Sequence, residues 1–306
     1  MGLFRRSAVD ALPDDALPFL TVDEAAEVRR LAADAFASAG VEVVVHPDHL
    51  QDGDGRQFGL WNVAAACKAA GPRRRWRRVV RGHVATLVDL PPNPADLPVE
   101  EVLAAAVLRV HAVDQMPPPM RDSLTYGRHV ADGLVELVVH DSPKSTMVLL
   151  DEDVERCGAD ALRAAGLEHL LAEPFTQDVL TAAGGARIDV LEGESVFVAS
   201  KVLVLPHVLD RVHGRRHFPD GVLVALPDRH HLLLHPVTSG DVVPALQAMA
   251  GLTADAYAKA AGGLSPSVYW WQEGRMTRLS VVGPDGVRIE VQDAFAEVLE
   301  RLAATR

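Results

Sequence analysis

Strand-length apolar runs and amphipathic helical stretches follow one another along this 306-residue chain without the strand–helix–strand alternation of a parallel sheet. That order points to an α+β fold: two lobes of mostly antiparallel sheet with helices packed on one side. In TVDEAAEVRRLAADAFASAG, Thr21 and Glu24 have the spacing of a capping box. Ala25, Val28, Leu31, Ala32, Ala35 and Phe36 share one face, and Gly40 ends the helix. VEVVVHP (41–47) reads as a strand, QDGDGRQ as a turn, and QFGL as a strand entering the helix NVAAACKAAG. PRRRWRRVVRGHVATLVD opens on Pro72 and places Trp76, Val79, Val80, Val84, Leu87 and Val88 on one stripe, which gives an amphipathic helix coated with arginine outside.

LPPNPADLP (90–98) holds four prolines in nine residues and reads as a connector. A short helix (VEEVLAAAV), a strand near Leu108–Val113, a turn at 117–119 and the strand LVELVVHD follow. DEDVERCGADALRAAGLEHLLAE reads as one helix with acids at its positive end. The last third predicts strands ARIDVL, SVFVAS, GVLVALP and HHLLLHPV, a helix from Lys201 to His213, and helices across DVVPALQAMA and TADAYAKAA. A three-strand meander over SVYWWQEGRMTRLSVVGPDGVRIEV and the helix DAFAEVLERLAA complete the reading. The expected organisation is a loose leader over 1–20, an N-terminal lobe over 21–150 and a C-terminal lobe over 151–306. Helix, strand, turn, strand and helix occur in that order over 21–70 and again over 151–213, which suggests a duplication.

The formal charge of −12 works against a general polyanion binder, because Lys and Arg contacts to phosphates supply most non-specific nucleic-acid affinity. The two cysteines, Cys67 and Cys157, have no partner at metal or redox spacing and fit a reducing compartment. MGLFRRSAVDALPDD lacks the apolar stretch of a signal peptide, and apolar segments such as VFVASKVLVLPHVL are broken by Ser, Lys, Pro and His. The expectation is a cytoplasmic protein with no membrane association and no cofactor. Only four of the 30 basic residues are lysine, which suggests a genome rich in G and C codons.

Three blocks, VVHDSPKSTMVLLDEDVERCGADALRAAGLEHLLAE, FVASKVLVLPHVL and GVLVALPDRHHLL, together with FGLWNVAAACKAA and its Asn62, resemble the YtpQ-like family of uncharacterised bacterial proteins in order and spacing. His230 and His231 stand where that family more usually has an acidic residue, and Glu168–His169 where an Ala-x-x-Asn-Leu run is usual. The resemblance, spanning roughly Thr21 to Val237, implies a bacterial cytoplasmic setting and a fold, and brings no catalytic residues with it.

Six of the 13 histidines, His207, His213, His217, His230, His231 and His235, fall within one 29-residue segment. Residues four apart on a strand are about 13 Å apart, so His231 and His235 do not converge on a metal as a helical HExxH pair does. No metal ligands and no catalytic residues are assigned: carboxylates open helices or flank turns, DGDG (52–55) lacks a calcium-loop pattern, and no G-x-S-x-G or phosphate-loop motif occurs. Arg73, Arg74, Arg75, Arg77, Arg78 and Arg81 form the strongest local charge feature, and without them the rest of the chain carries −18. Arg74, Arg77, Arg78 and Arg81 are therefore candidate binding residues for an anionic partner, weighed against an ordinary solvated helix face. Asp228, Arg229 and His231 at the end of VALPDRHH are a second candidate. Arg229 has the planar fork for a carboxylate or phosphate, and the alternative is a turn capped by Asp228. The leading functional expectation is a non-catalytic module that binds a protein partner. The alternatives are a hydrolase built on the histidine-rich segment 207–235 and a nucleic-acid adaptor using the arginine helix 73–81.

Overall fold

The structure, a computed structural model, describes residues 12–53, 55–88, 93–143, 145–182, 185–238, 240–260, 262–291 and 293–304. The fold is α+β with several antiparallel sheets. It divides into two compact units, Met1–Pro91 and Pro92–Arg306, so the break falls at the proline run and not at 150/151. The expected boundary fails for a packing reason: Leu108 and Val138 before it share one apolar core with Leu162, Leu191, Val222 and Trp271 after it.

In the first unit, helix α1 (Val22–Ser38) starts on the capping box. Glu24 N donates to Thr21 Oγ1 at 3.3 Å, and Thr21 N donates to Glu24 Oε2 at 3.0 Å. Strands β1 (Val43–Val45), β2 (His49–Asp52) and β3 (Gln57–Gly59) pair antiparallel, with Leu50 opposite Phe58. The segment expected to be all turn thus contributes a strand on its N-terminal side, and Asp54 of DGDG lies outside the described residues. Helix α2 (Trp61–Ala69) and helix α3 (Trp76–Val88), the latter entered through a 3-10 turn at 73–75, complete the unit. Phe36, Leu50, Leu60, Val63, Cys67, Trp76 and Val80 form its core. The expected leader is corrected over 12–20, since Leu17 and Leu20 are buried in that core and Asp14 makes a two-pronged ion pair with Arg29; residues 1–11 lie outside the described residues.

The second unit begins with helix α4 (Val99–Ala104), strand β4 (Ala106–Ala112) and the short helix α5 (Pro118–Arg121), after a segment of which residues 89–92 lie outside the described residues. Strand β6 (Leu134–Ser142) pairs antiparallel with β4, and along its other side with β5 (Arg128–Ala131) and β7 (Ser145–Val148). The predicted single helix is broken at Gly158, whose φ of 86° no β-carbon residue adopts readily, into α6 (Asp151–Cys157) and α7 (Ala159–Ala172).

Next come strands β8 (Thr176–Thr181) and β9 (Arg187–Glu192), helix α8 (Leu205–His213), and strands β10 (Val222–Ala225) and β11 (His231–Pro236). Helix α9 (Val242–Lys259), strands β12 (Val268–Gln272), β13 (Arg275–Arg278), β14 (Ser280–Gly283) and β15 (Gly286–Ile289), and helix α10 (Asp293–Ala304) follow. A six-stranded antiparallel sheet runs in the order β13-β12-β10-β11-β9-β8. Its strands β10 and β11 are apolar almost throughout because both faces are covered. Val222, Val224 and Leu234 pack on the side of α8, while Leu223, Ala225 and Leu233 pack on the side of α9 and α10. Helices therefore lie on both faces of this sheet, not on one.

Three other expectations change. The meander is two hairpins, β12–β13 and β14–β15, because Leu279 bonds back to Val268 and, among the described residues, β14 pairs with β15 alone. The two helices across 241–260 are one helix that runs through Gly251 and Leu252 without a break, and Pro244 is tolerated in its first turn, where its missing N–H costs nothing. SVFVAS is no strand and turns into a 3-10 segment over 199–204, so it does not match QFGL, which supplies β3; residues 151–213 hold the pair β8–β9 where 21–70 hold three strands.

Candidate functional site

The arginine segment lies on the first unit as the sequence spacing implies. Trp76, Val80 and Val84 point into the core, and Trp76 Nε1 donates to Gly71 O at 3.0 Å, so this ring is not a stacking platform. The arginines occupy the opposite side. Arg73 is held by Asp23 at 2.5 Å and lies over the Trp76 ring, and Arg75 reaches Ala70 O. Arg74, Arg77, Arg78 and Arg81 are exposed and have no ion-pair or hydrogen-bond partner among the described residues. Beside them an open groove of about 890 Å³ runs between α2 and α3. Ala66, Ala70 and Val79 give it apolar lining, and Arg74, Arg75 and Arg78 contribute to its walls. His83 also lines the groove, its imidazole pushed down by burial, so at neutral pH it adds no charge.

On the second unit, Asp228, Arg229 and His231 lie together before and at the start of β11. Asp228 accepts from His230 N at 2.7 Å and from His231 Nδ1 at 2.9 Å. Burial works against the Asp228 charge, but these donors hold its carboxyl below the ordinary carboxylate range. Asp228 in turn raises the His231 imidazole against the opposing effect of burial. Asp228 is thus consumed in capping its own turn. Arg229 is not: its Nε donates to His230 Nε2 at 3.1 Å, and its guanidinium has no acid partner among the described residues.

A residue that the sequence reading passed over stands close to Arg229. Arg109, half-buried on β4, has no hydrogen-bond partner for its buried Nε. Burial, then the neighbouring charge of Arg229, pushes its guanidinium down to about 10. Two residues along, His111 is pushed to about 3 by burial and by Arg109, and its buried Nε2 is also unpartnered. Its signal was present in LRVHA, where two basic side chains alternate with apolar ones and must share a sheet face.

The histidine-rich segment does not gather into one centre. His207 and His217 are exposed, His213 Nε2 lies 3.1 Å from Asp189, and His230 Nδ1 contacts Gly193 O and Ser195 O at 3.2 Å. His235 Nδ1 bonds Arg187 O at 2.8 Å. Among the described residues no group of three or more His, Cys, Asp or Glu side chains is placed to hold a metal. Burial raises both thiols, Cys67 to about 11, which leaves them as unreactive core groups. No described helix is long and apolar enough to cross a membrane. Comparison with known proteins finds no matching family model, no matching curated protein and no matching solved structure.

Proposed function

We propose that this chain is a non-catalytic binding protein of the YtpQ-like type that its sequence blocks resemble, working in a bacterial cytoplasm, and that it docks an acidic protein segment on the arginine face of α3. The supporting observation is the set of four exposed guanidinium groups, Arg74, Arg77, Arg78 and Arg81, without acid partners among the described residues, beside a groove with apolar lining. Unpaired charge on a helix surface is ordinary one residue at a time. Four such groups in two turns next to half-buried apolar surface match the charge and the side chains of an amphipathic acidic helix.

The footprint favours protein over nucleic acid. From Arg74 in the 3-10 turn to Arg81 in α3 the backbone rises roughly 11 Å, about two turns, which suits one short acidic helix. Residues 1–91 hold 12 basic and 12 acidic side chains, so the full −12 sits on 92–306 and repels an extended polyanion. The two buried free cysteines support a reducing compartment.

The test is fluorescence anisotropy at low salt with a labelled peptide bearing Glu and Leu at helical spacing, its Gln-for-Glu counterpart, and a single-stranded oligonucleotide. The reading expects the acidic peptide to bind best, and the Arg74→Gln, Arg77→Gln, Arg78→Gln, Arg81→Gln variant to lose at least about tenfold in affinity, near 1.4 kcal/mol. Tighter binding of the oligonucleotide, or undiminished peptide binding by the variant, overturns it.

A further inference from the structure

We propose that Arg109 and Arg229 form a binding site for a phosphate group in residues 92–306, with His111 as a third contact. The site is separate from the arginine face of α3 and depends on none of its residues.

Backbone geometry brings the two arginines together. Along β4, Arg109 and His111 alternate with Leu108 and Val110, which enter the main core, so the two basic side chains share the other sheet face. Leu137 and Val135 are their cross-strand neighbours on β6. The 3-10 segment at 199–204 then ties this strand to the loop before β11. Ser200 Oγ accepts from Val110 N at 3.0 Å, and the adjacent Ala199 N donates to Arg229 O at 3.2 Å. Two consecutive residues therefore hold the strand of Arg109 and the loop of Arg229 in fixed relation. This is the positioning by rigid elements that a binding site requires.

The charges inside that arrangement have no ion pair, and Asp141 alone acts on Arg109 to offset them. Neither guanidinium has an ion-pair partner among the described residues, and the Arg109 side chain forms no hydrogen bond there. Asp141, the carboxylate that acts on Arg109, forms no ion pair with it and accepts from Thr146 Oγ1 at 2.7 Å. Two like charges facing one another, one with a buried unsatisfied N–H, weaken a fold unless something else compensates them. The buried, unpartnered His111 Nε2 adds a further site for a hydrogen bond.

The donor set selects the ligand chemistry. Arg109 keeps its whole fork and Arg229 its terminal nitrogens, more N–H groups than the two oxygens of a carboxylate can accept. A phosphate offers three or four oxygens and up to two negative charges, one for each guanidinium. Arg109, Arg229 and His111 are each half-buried as residues, whereas Arg109 Nε and His111 Nε2 are themselves shielded from solvent. The phosphate belongs either to the free inorganic ion or to a monoester.

The experiment is calorimetric titration of the full chain with inorganic phosphate and with phenyl phosphate, in phosphate-free buffer. Saturable phosphate binding that falls by at least about tenfold in both Arg109→Gln and Arg229→Gln, and is unchanged when Arg74, Arg77, Arg78 and Arg81 are all Gln, supports the site. Arg109→Lys keeps the charge and loses the fork, and is expected to bind several-fold more weakly with an unchanged melting temperature. A second readout separates binding from folding: without phosphate, Arg109→Gln melts at or above the wild-type temperature, because it removes like-charge repulsion. Tighter binding of phenyl phosphate than of inorganic phosphate assigns the site to a monoester; equal or weaker binding assigns it to the free ion. No saturable binding of either up to about 10 mM, or binding unaffected by both arginine variants, overturns the proposal.

Discussion

Lys201 shows how this chain uses a buried charge for structure. Its Nζ donates to Leu170 O at 2.6 Å and to Leu171 O at 3.3 Å, capping carbonyls of the last turn of α7, while Phe175 lies alongside. Burial pushes its ammonium down to about 8. Between about 8 and the ordinary value near 10.5 the unfolded chain holds the proton and the folded chain does not, so this group makes stability rise with pH across that window. Denaturant melts at pH 8 and pH 10.5 should show the wild type gaining up to about 2–3 kcal/mol relative to Lys201→Met. The same substitution should cost about 1–3 kcal/mol at neutral pH through the orphaned carbonyls. A difference between the two proteins that does not change with pH would contradict the assignment. Single-residue roles such as this were only partly legible in the sequence. Trp76 declared itself as core through its helical stripe, and the cap at Thr21 through spacing. By contrast Arg229 and LRVHA could be singled out locally, but the pairing of Arg109 with Arg229 and the capping role of Lys201 depend on chain segments about 30 to 120 positions away.

At the scale of elements, the fit of α7 against β4 is one of the close backbone approaches in the second unit. A β-carbon at Gly166 would lie 3.0 Å from Leu108 N and 3.1 Å from Leu108 Cγ, and backbone cannot yield as a flexible side chain does. Gly166→Val is therefore expected to destabilise by about 1–3 kcal/mol. Gly166→Ala should be milder, because the helical preference for Ala, about 1 kcal/mol, offsets part of the crowding. Equal stability of the Val variant and wild type in urea melts would refute this packing. Amphipathic helices α1 and α3 could be read from their periodicity. Strands β10 and β11 could be found, yet their near-continuous apolar runs also said that both faces are covered, a signal the one-sided expectation overlooked. Strands β5, β7 and β8 were missed because half-exposed polar residues dominate them, as in TQDVLT, and their pairing partners alone make them strands.

At the scale of the whole molecule, each unit has its own apolar core, one built from residues 17–84 and the other from 102 onward. A fragment of residues 92–306 is accordingly expected to melt cooperatively, whereas one of residues 151–306 should not, because it loses β4 and β6 from a shared core. Cooperative folding of the shorter fragment would restore the boundary at 150/151. The proline run at 90–98 marked this division in the sequence, but similar element order before and after position 150 drew the expected boundary away from it. Charge divides the same way: residues 1–91 are balanced overall, and the −12 belongs to the remainder. Under the proposed docking, an acidic partner meets local attraction at the arginines of α3. The decisive measurement is the affinity of the acidic Glu/Leu peptide for the full chain between about 0.05 and 0.3 M salt, over which the screening length falls to well under half. Docking on the arginine face predicts that affinity drops steeply as salt rises and that the four-arginine variant loses this dependence. Affinity that stays flat or increases with salt, or a variant that keeps the wild-type slope, would contradict it.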